Sequence, residues 1–511
     1  MTSVRSIVIV GGGTAGWMTA GILAARFQPR HSGGLSVTLV ESANIPSVGV
    51  GEGTWPSMRD TLQAMGIAEA DVLTACDASF KQASKFNDWL RPGHSYYHPF
   101  MAPRRFDELS LADDWLTGDR SQSFADFVSF QPALCDQDRA PKTLATPEYQ
   151  PVANYAYHLD AAKFAELLKR HCVEKLGVRH VVADVERPLP DEDGFLVGLQ
   201  LAGGETLPGD LFVDCSGLKA LLVGQHYASG LTDVRDQLFV DTALAVQVPY
   251  DSDARPIRSA TWSTAQAAGW IWDIGLQSRR GTGYVYASDF AGEDEARACL
   301  SAYIGDGKAG ESARKIAINA GYRRTPWVKN CVAIGLSMGF VEPLEASSIV
   351  MIELAAKALA ERMPASRDDT TALAPRFNAD FAGHWTAIVD FLKLHYTLSQ
   401  RNEPFWIANR QAETMSDGLR GLLQLWRSRT PNIQDFSHRS EIFPAASYQY
   451  VLYGMDFDSD VPAWRRFGGD RRRTDLARQE VERARNSVAQ LPGNRTLLKA
   501  LLAKHQQLVG A

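Results

Sequence analysis

The sequence predicts an α/β protein in which a Rossmann-like, dinucleotide-binding parallel sheet is interleaved with a second, mainly helical module. Three observations predict it. An apolar run, Ile7-Val8-Ile9-Val10, breaks into Gly11-Gly12-Gly13-Thr14-Ala15-Gly16 and then into a helical stretch from Trp17. One strand later, Ser36-Val37-Thr38-Leu39-Val40 ends in Glu41. From about Thr370 onward the pattern is mostly helical and rich in Trp and Phe. The first segment places Gly11, Gly13 and Gly16 at the three positions of a dinucleotide fingerprint, where bare backbone N–H groups close on a pyrophosphate at a helix N-terminus. Glu41 stands where an acid accepts both ribose hydrogen bonds and repels a 2′-phosphate. Such glycine turns also serve packing alone, but strand, turn, helix, strand and acid in this order favour a nucleotide.

The composition fits a globular chain of two or three interleaved domains: 511 residues, 45% hydrophobic and 22% charged. A net charge of −6 with both signs mixed gives no signal for nucleic acid or an anionic membrane. The most basic stretch, Arg465, Arg466, Arg471, Arg472 and Arg473, is broken by Asp470 and Asp475 and reads as a solvated helix start. Cysteines at 76, 135, 172, 215, 299 and 331 show no paired spacing, which argues against disulfides and zinc and for a reducing compartment. The first strand begins too early for a leader peptide, and no apolar run approaches the roughly 20 residues that span a bilayer. A cytoplasmic protein is expected.

Along the chain, Ile45 to Pro56 is a second glycine-rich loop (Gly49, Gly51, Gly53) dense enough to lay a planar ring against backbone. After a nucleotide-binding unit, that points to a flavin, with a mobile surface loop as the other reading. Residues 61–89 read as helices, with Lys81 and Lys85 one turn apart; two such lysines are ordinarily just solvated. The irregular, aromatic-rich 91–151 suits a pocket lining. A helix follows from Ala161 to about Leu176, then β runs at 180–185 and 195–201, and a strand ending in Asp214-Cys215-Ser216-Gly217 with its end toward the cofactor. Residues 235–290 alternate as strands, so that Trp270, Trp272 and Ile274 share one face. A buried strand ending at Gly335 leads through Glu342-Pro343-Leu344-Glu345-Ala346-Ser347-Ser348 into an apolar helix from about Ile349 to Met363. Free amides at Ser347 and Ser348 suit an anion, and an ordinary helix cap competes with that reading. His94 and His98 lack a third ligand nearby, and Asp456, Asp458 and Asp460 lack the Gly and Glu of a calcium loop, so no metal is expected.

Taken together, residues 5 to 460 resemble the flavin-dependent halogenases of the tryptophan halogenase family. Trp270, Trp272 and Ile274 match the family's Trp-x-Trp-x-Ile-Pro signature, with Gly275 in place of the proline. Phe80-Lys81 and Lys85-Phe86 match the segment carrying its catalytic lysine, which falls on Lys81. Pro343-Leu344-Glu345 matches the loop carrying its catalytic glutamate, which falls on Glu345.

The resemblance implies a GR2-type flavin monooxygenase fold, with a discontinuous FAD-binding module at 1–60 and 151–365 and a mainly helical substrate module at 61–150 and 366–511. It implies FAD, as FADH2, against Gly11, Gly13, Thr14, Ala15, Gly16, Glu41, Gly49, Val50, Gly51, Val185, Asp214, Gly335 and Leu344. Chloride or bromide belongs at Ser347 and Ser348. Oxygen and halide then give hypohalous acid, which travels through a tunnel to an electron-rich aromatic such as an indole or tryptophan lined by His98, Phe100 and Phe443. Trp270 and Trp272 keep the organic substrate from the flavin. With no second dinucleotide fingerprint, reduced flavin is expected from a separate NAD(P)H-dependent flavin reductase; a homodimer is compatible with the family. The run Glu345-Ala346-Ser347-Ser348 departs from the Glu-Ser-Thr-Gly common among tryptophan-specific members, and the Trp and Glu that grip the amino acid have no match near Phe443 to Tyr453. Free indole, another aromatic and a peptide stay open beside tryptophan. Two rivals remain: an aromatic hydroxylase, favoured by Gly275, and a non-catalytic flavin-binding protein.

Overall fold

The computed structural model describes residues 3–44, 51–436, 442–462 and 471–509, with the side chains of Arg471 and Val509 excepted. Gly49, Val50, Arg465 and Arg466 lie outside the described residues. The chain divides into two compact units: 1–78, 159–234 and 319–385 form one, and 79–158, 235–318 and 386–511 the other.

The first unit is built on a six-stranded sheet in the order Trp327–Val328, Cys331–Ala333, Leu211–Asp214, Ser6–Val10, Ser36–Glu41, Arg179–Val182. All its neighbours run parallel except the first pair. Ile7, Val8, Ile9 and Val10 are buried, as expected of a central parallel strand covered on both faces. Val10 is level with Val40 and with Asp214, so Gly11, Glu41 and Cys215 emerge together at the carboxyl edge, where open α/β sheets bind their ligands. The helices Ala161–His171 and Ser347–Glu361 both pack on Thr14–Phe27 in this unit.

The second unit carries a seven-stranded sheet, Arg314–Ala317, Thr242–Pro249, Arg279–Tyr286, Gly269–Gly275, Ala260–Gln266, Ala83–Asn87, Ser95–Pro99, antiparallel except where Ala260–Gln266 meets Ala83–Asn87. Its helices include Ala445–Gly454, Arg471–Val488 and Asn494–Val509. Here one expectation is corrected. Helices Ser57–Ala64 and Glu69–Ala75 occupy the first part of 61–89, but Lys81 and Lys85 lie on two strands, Ser79–Lys81 and Ala83–Asn87. Ser79–Lys81 pairs with residues 156–158, whereas Ala83–Asn87 joins the seven-stranded sheet. The chain changes sheets at Gln82, which resets the alternation, so that Phe80, Ala83 and Trp89 imitate one face of a helix. Residues 79–84 are all buried, so no polar face betrays the two-residue period.

Gly269–Gly275 is buried along its whole length. Its fit depends on a glycine in the next strand: Trp272 is level with Gly283, and a Cβ on Gly283 would lie 2.1 Å from Cη2 of Trp272. Gly283→Ala therefore overpacks the sheet and is expected to destabilise the chain by about 1–3 kcal/mol, read as a lowered denaturant midpoint at unchanged slope.

Candidate functional site

In the first unit, contacts of backbone on backbone define the turn after Ser6–Val10. Gly11 has φ of +112° and a Cβ there would lie 2.2 Å from the carbonyl oxygen of Cys215. A Cβ on Gly16 would meet the Gly11 carbonyl oxygen at 1.8 Å, and one on Gly12 the Glu41 Oε2 at 1.5 Å. Gly13 is different: nothing lies within 4 Å of its Cβ position, it is exposed, and it starts the helix Thr14–Phe27 with no side-chain cap. This leaves uncapped helix-start amides beside open space, the arrangement a pyrophosphate needs. Gly335, with φ of +77°, comes so close that a Cβ would stand 2.6 Å from Cβ of Ala15. Glu41 Oε1 accepts from Lys169 Nζ at 3.1 Å and pairs with His180 Nε2 at 2.8 Å, which orients the carboxylate toward Gly12. The residues present fit a dinucleotide.

Other expected cofactor positions vary in exposure. Thr14 Oγ1 lies 3.5 Å from the Ala161 carbonyl oxygen; Gly51 and Leu344 are buried, and Val185 is half-buried at a strand start. Asp214 spends its buried carboxylate on its own loop: Oδ1 accepts from Ser216 N and Oγ, and Oδ2 from Leu222 N and Val223 N.

The loop before Ser347–Glu361 holds two consecutive non-glycine residues in the left-handed region, Glu345 with φ of +61° and Ala346 with φ of +55°. Each costs on the order of 1–3 kcal/mol and persists only where surroundings hold it. Trp55 Nε1 donates to the Glu345 carbonyl oxygen at 2.8 Å, and Ala346 N to that of Pro343 at 3.1 Å. The glutamate side chain is buried. Ser347 opens the helix, and the residue at the cap position is Ala346, with no side-chain cap. Neither serine is the N-cap. Ser347 Oγ is buried with no hydrogen-bond partner among the described residues.

In the second unit Lys81 is 1% exposed, opposite Ala156, with Nζ 5.2 Å from the Phe100 ring centroid. Lys85 is separately engaged, 3.1 Å from Asp136 and over the Tyr97 ring. Ser79, level with His158, donates through Oγ to the Gly275 carbonyl oxygen, the residue standing where a proline was expected. Trp270, Trp272 and Ile274 are buried on that strand, with Trp270 6.1 Å from Trp89. His98 Nε2 bonds Ser447 Oγ at 2.9 Å, and its ring lies 5.8 Å from that of Phe391, which stacks on Phe443 at 3.8 Å. Phe100 is half-buried. Sequence reasoning missed Trp55, Ser79, Gly283 and His158. Their roles come from contacts distant in sequence, and only the glycine leaves a local trace.

Comparison with known proteins gives one family. The tryptophan halogenase family model matches residues 6–463. The chain is 36% identical to the tryptophan 6-halogenase SttH of Streptomyces toxytricini over 469 residues, 88% of each chain. It superposes on a tryptophan halogenase from Shewanella frigidimarina with a TM-score of 0.95 at 43% identity, covering 98% of both chains. A flavin-dependent halogenase from Brevundimonas, BrvH, aligns with a TM-score of 0.86 at 33% identity over 98% of this chain and 99% of that one.

His158 is fully buried, and burial together with the Lys81 charge pushes its pKa well below the ordinary imidazole range. The folded state therefore binds fewer protons here than the unfolded state. Stability from the neutral ring is present above pH about 6.5 and is lost as pH falls below it. A His158→Gln variant is expected to flatten that acid limb in denaturation series at pH 5 to 7, and the wild-type ring signals should not titrate across that range by NMR.

Proposed function

Because the chain belongs to the tryptophan halogenase family and is a flavin-dependent halogenase using reduced FAD and halide, we propose that Lys81 and Glu345 carry its chemistry on an uncharged indole ring. The burial of both ionisable side chains, each in a segment matching the family's catalytic one, carries this reading. When bound, reduced FAD supplies the electrons with which oxygen and halide give hypohalous acid. The glycine turn, Thr14, Ala15, Glu41, Gly51, Gly335 and Leu344 hold it, and Asp214 acts through its own loop. Ser347 and Ser348 offer helix-start amides to the halide.

Lys81 Nζ donates a hydrogen bond to the oxygen of hypohalous acid and holds the electrophilic halogen toward the ring. The ring carbon forms its bond to halogen as the oxygen–halogen bond breaks, and the departing hydroxyl oxygen takes a proton from the Lys81 ammonium and leaves as water. The Glu345 carboxylate stabilises the cationic ring and takes the proton from the substituted carbon. Trp270 and Trp272 exclude organic substrate from the flavin; direct hydroxylation is not favoured, the similar chains being halogenases. His98, Phe100 and Phe443 contribute aromatic lining.

The helix Ala445–Gly454 carries no ionised side chain, and its polar groups turn to protein partners: Ser447 to His98, Gln449 to Pro431, Tyr450 to Met101, Tyr453 to Ser459. With no carboxylate or cation on this helix to grip an amino acid, a neutral indole or tryptophan within a peptide stands beside the tryptophan named for the relatives. FADH2 comes from a separate flavin reductase. Six free thiols suit a cytoplasmic setting; among the described residues no helix is long and apolar enough to cross a membrane. The unit with 1–78 serves the flavin and the unit with 79–158 the substrate. Pairing of two chains completes the reading, and light scattering would give twice the chain mass.

With FAD, a reductase, NADH, oxygen and bromide, indole should acquire halogen by mass spectrometry, with a higher kcat/KM than tryptophan. Lys81→Ala should lose product by about 10²-fold or more while binding FAD normally. Oxygen in place of halogen in the product, or unchanged turnover in that variant, would overturn the assignment.

A further inference from the structure

Both neighbours of Lys81 are tied to one hydrogen-bonded knot in the second unit, and part of that knot lies beyond residue 463, where the family match ends. Asn494, 1% exposed and first in the helix Asn494–Val509, donates through Nδ2 to the carbonyl oxygen of Phe80 at 3.1 Å. Its own N–H donates to the carbonyl of Asp138 at 2.7 Å. The adjoining turn grips the same loop: Ala140 N donates to Pro492 O, Arg139 to Leu491 O, and Gly493 bridges Arg139. On the other side of Lys81, Gln82 Nε2 donates to Arg139 O at 2.7 Å, and Gln82 N to Ser259 O at 2.7 Å. Ser259 Oγ returns to Arg139 O, closing the knot.

We infer that the Leu491 to Asn494 turn is a positioning element for Lys81, with Asn494 the positioning residue; this rests on the reading of Lys81 as catalytic. Asn494 lies one place inside the cap position, which Gly493 occupies, so its side chain does not serve as the helix cap. Here Oδ1 is buried with no partner among the described residues, while the amide donor is directed to Phe80. Leaving a buried acceptor unmet is unfavourable, and the side chain is held in that orientation by its donor bond to Phe80. The Phe80 carbonyl is coplanar with the Lys81 nitrogen and Cα, so fixing that oxygen fixes the plane from which the lysine stem departs. Tilting the plane by ~10° swings an ammonium on a four-carbon stem by about 1 Å, and displacement of that size can cost on the order of 10²-fold in rate.

The test is Asn494→Asp, which keeps the shape and replaces the donor with an acceptor. Full-length enzyme is assayed with FAD, reductase, NADH, oxygen, bromide and indole, and oxidised halide released into solution is captured by monochlorodimedone. The expected result is a kcat for indole halogenation lower by about 10-fold, with KM within about 2-fold and captured oxidant undiminished. Lys81→Ala with Asn494→Asp should then be no worse than Lys81→Ala alone. Should the aspartate variant fail to fold, Asn494→Ser, which keeps a good helix start but cannot reach Phe80, is held to the same result. Wild-type kcat beside an inactive Lys81→Ala overturns the positioning role and leaves the lysine reading standing. Equal loss of halogenation and captured oxidant marks a general structural defect and also overturns it. An active Lys81→Ala removes the catalytic reading itself.

Discussion

The closeness of backbone to backbone at the carboxyl edge of the parallel sheet is the constraint on which the cofactor side of this protein depends. Gly11 turns against the Cys215 carbonyl, Gly16 against Gly11, and Gly12 against the Glu41 carboxylate. No side chain fits at Gly11 or Gly16, where the obstacle is backbone, whereas at Gly12 the Glu41 side chain itself would have to move. The effect is to bring three strand ends level and to leave Gly13, the one glycine of Gly11, Gly12, Gly13 and Gly16 with open space before it, at an uncapped helix start. Asp214 belongs to the same constraint: by accepting four hydrogen bonds from its own loop, it holds the chain that Gly11 leans on.

The second unit solves a different problem, that of keeping polar function inside a densely packed sheet. Trp272 fits because Gly283 faces it, and the end of that strand is held by Ser79 through the Gly275 carbonyl. With glycine in place of proline, the strand continues its pairing to Arg280. Lys81 sits between residues anchored on both sides, so its freedom is confined to its own side chain. In the first unit, by contrast, Glu345 is confined by backbone strain, with Trp55 fixing the carbonyl of a residue already in an unfavourable conformation.

Much was legible in advance. The fingerprint glycines and Glu41 are short, ordered patterns whose chemistry requires those residue types. The paired tryptophans with the segments around Lys81 and Glu345 carried the resemblance to the family that the chain matches over residues 6–463. The sequence misled where burial erased periodicity. Around Lys81 every residue from 79 to 84 is inside, so Phe80, Ala83 and Trp89 could imitate a helix face across what is a change of sheets. The two readings of Ser347 and Ser348 could not be separated locally either, because a serine before an apolar helix looks like a cap whether or not it occupies the cap position.

By itself, then, the sequence determined the nucleotide-binding edge, because its glycines and acid lie close together in the chain with a spacing of direct physical meaning. It pointed to the flavin and the halogenase family through a resemblance carried by short motifs in separate segments. Tertiary structure alone decided that Lys81 lies on a strand, that Glu345 and Ala346 are left-handed, that Gly283 is the counterpart of Trp272, and that Asn494 reaches the Phe80 carbonyl. These depend on hydrogen bonds and packing between segments up to 414 positions apart, and partners so distant leave no periodicity or motif for a local reading to find.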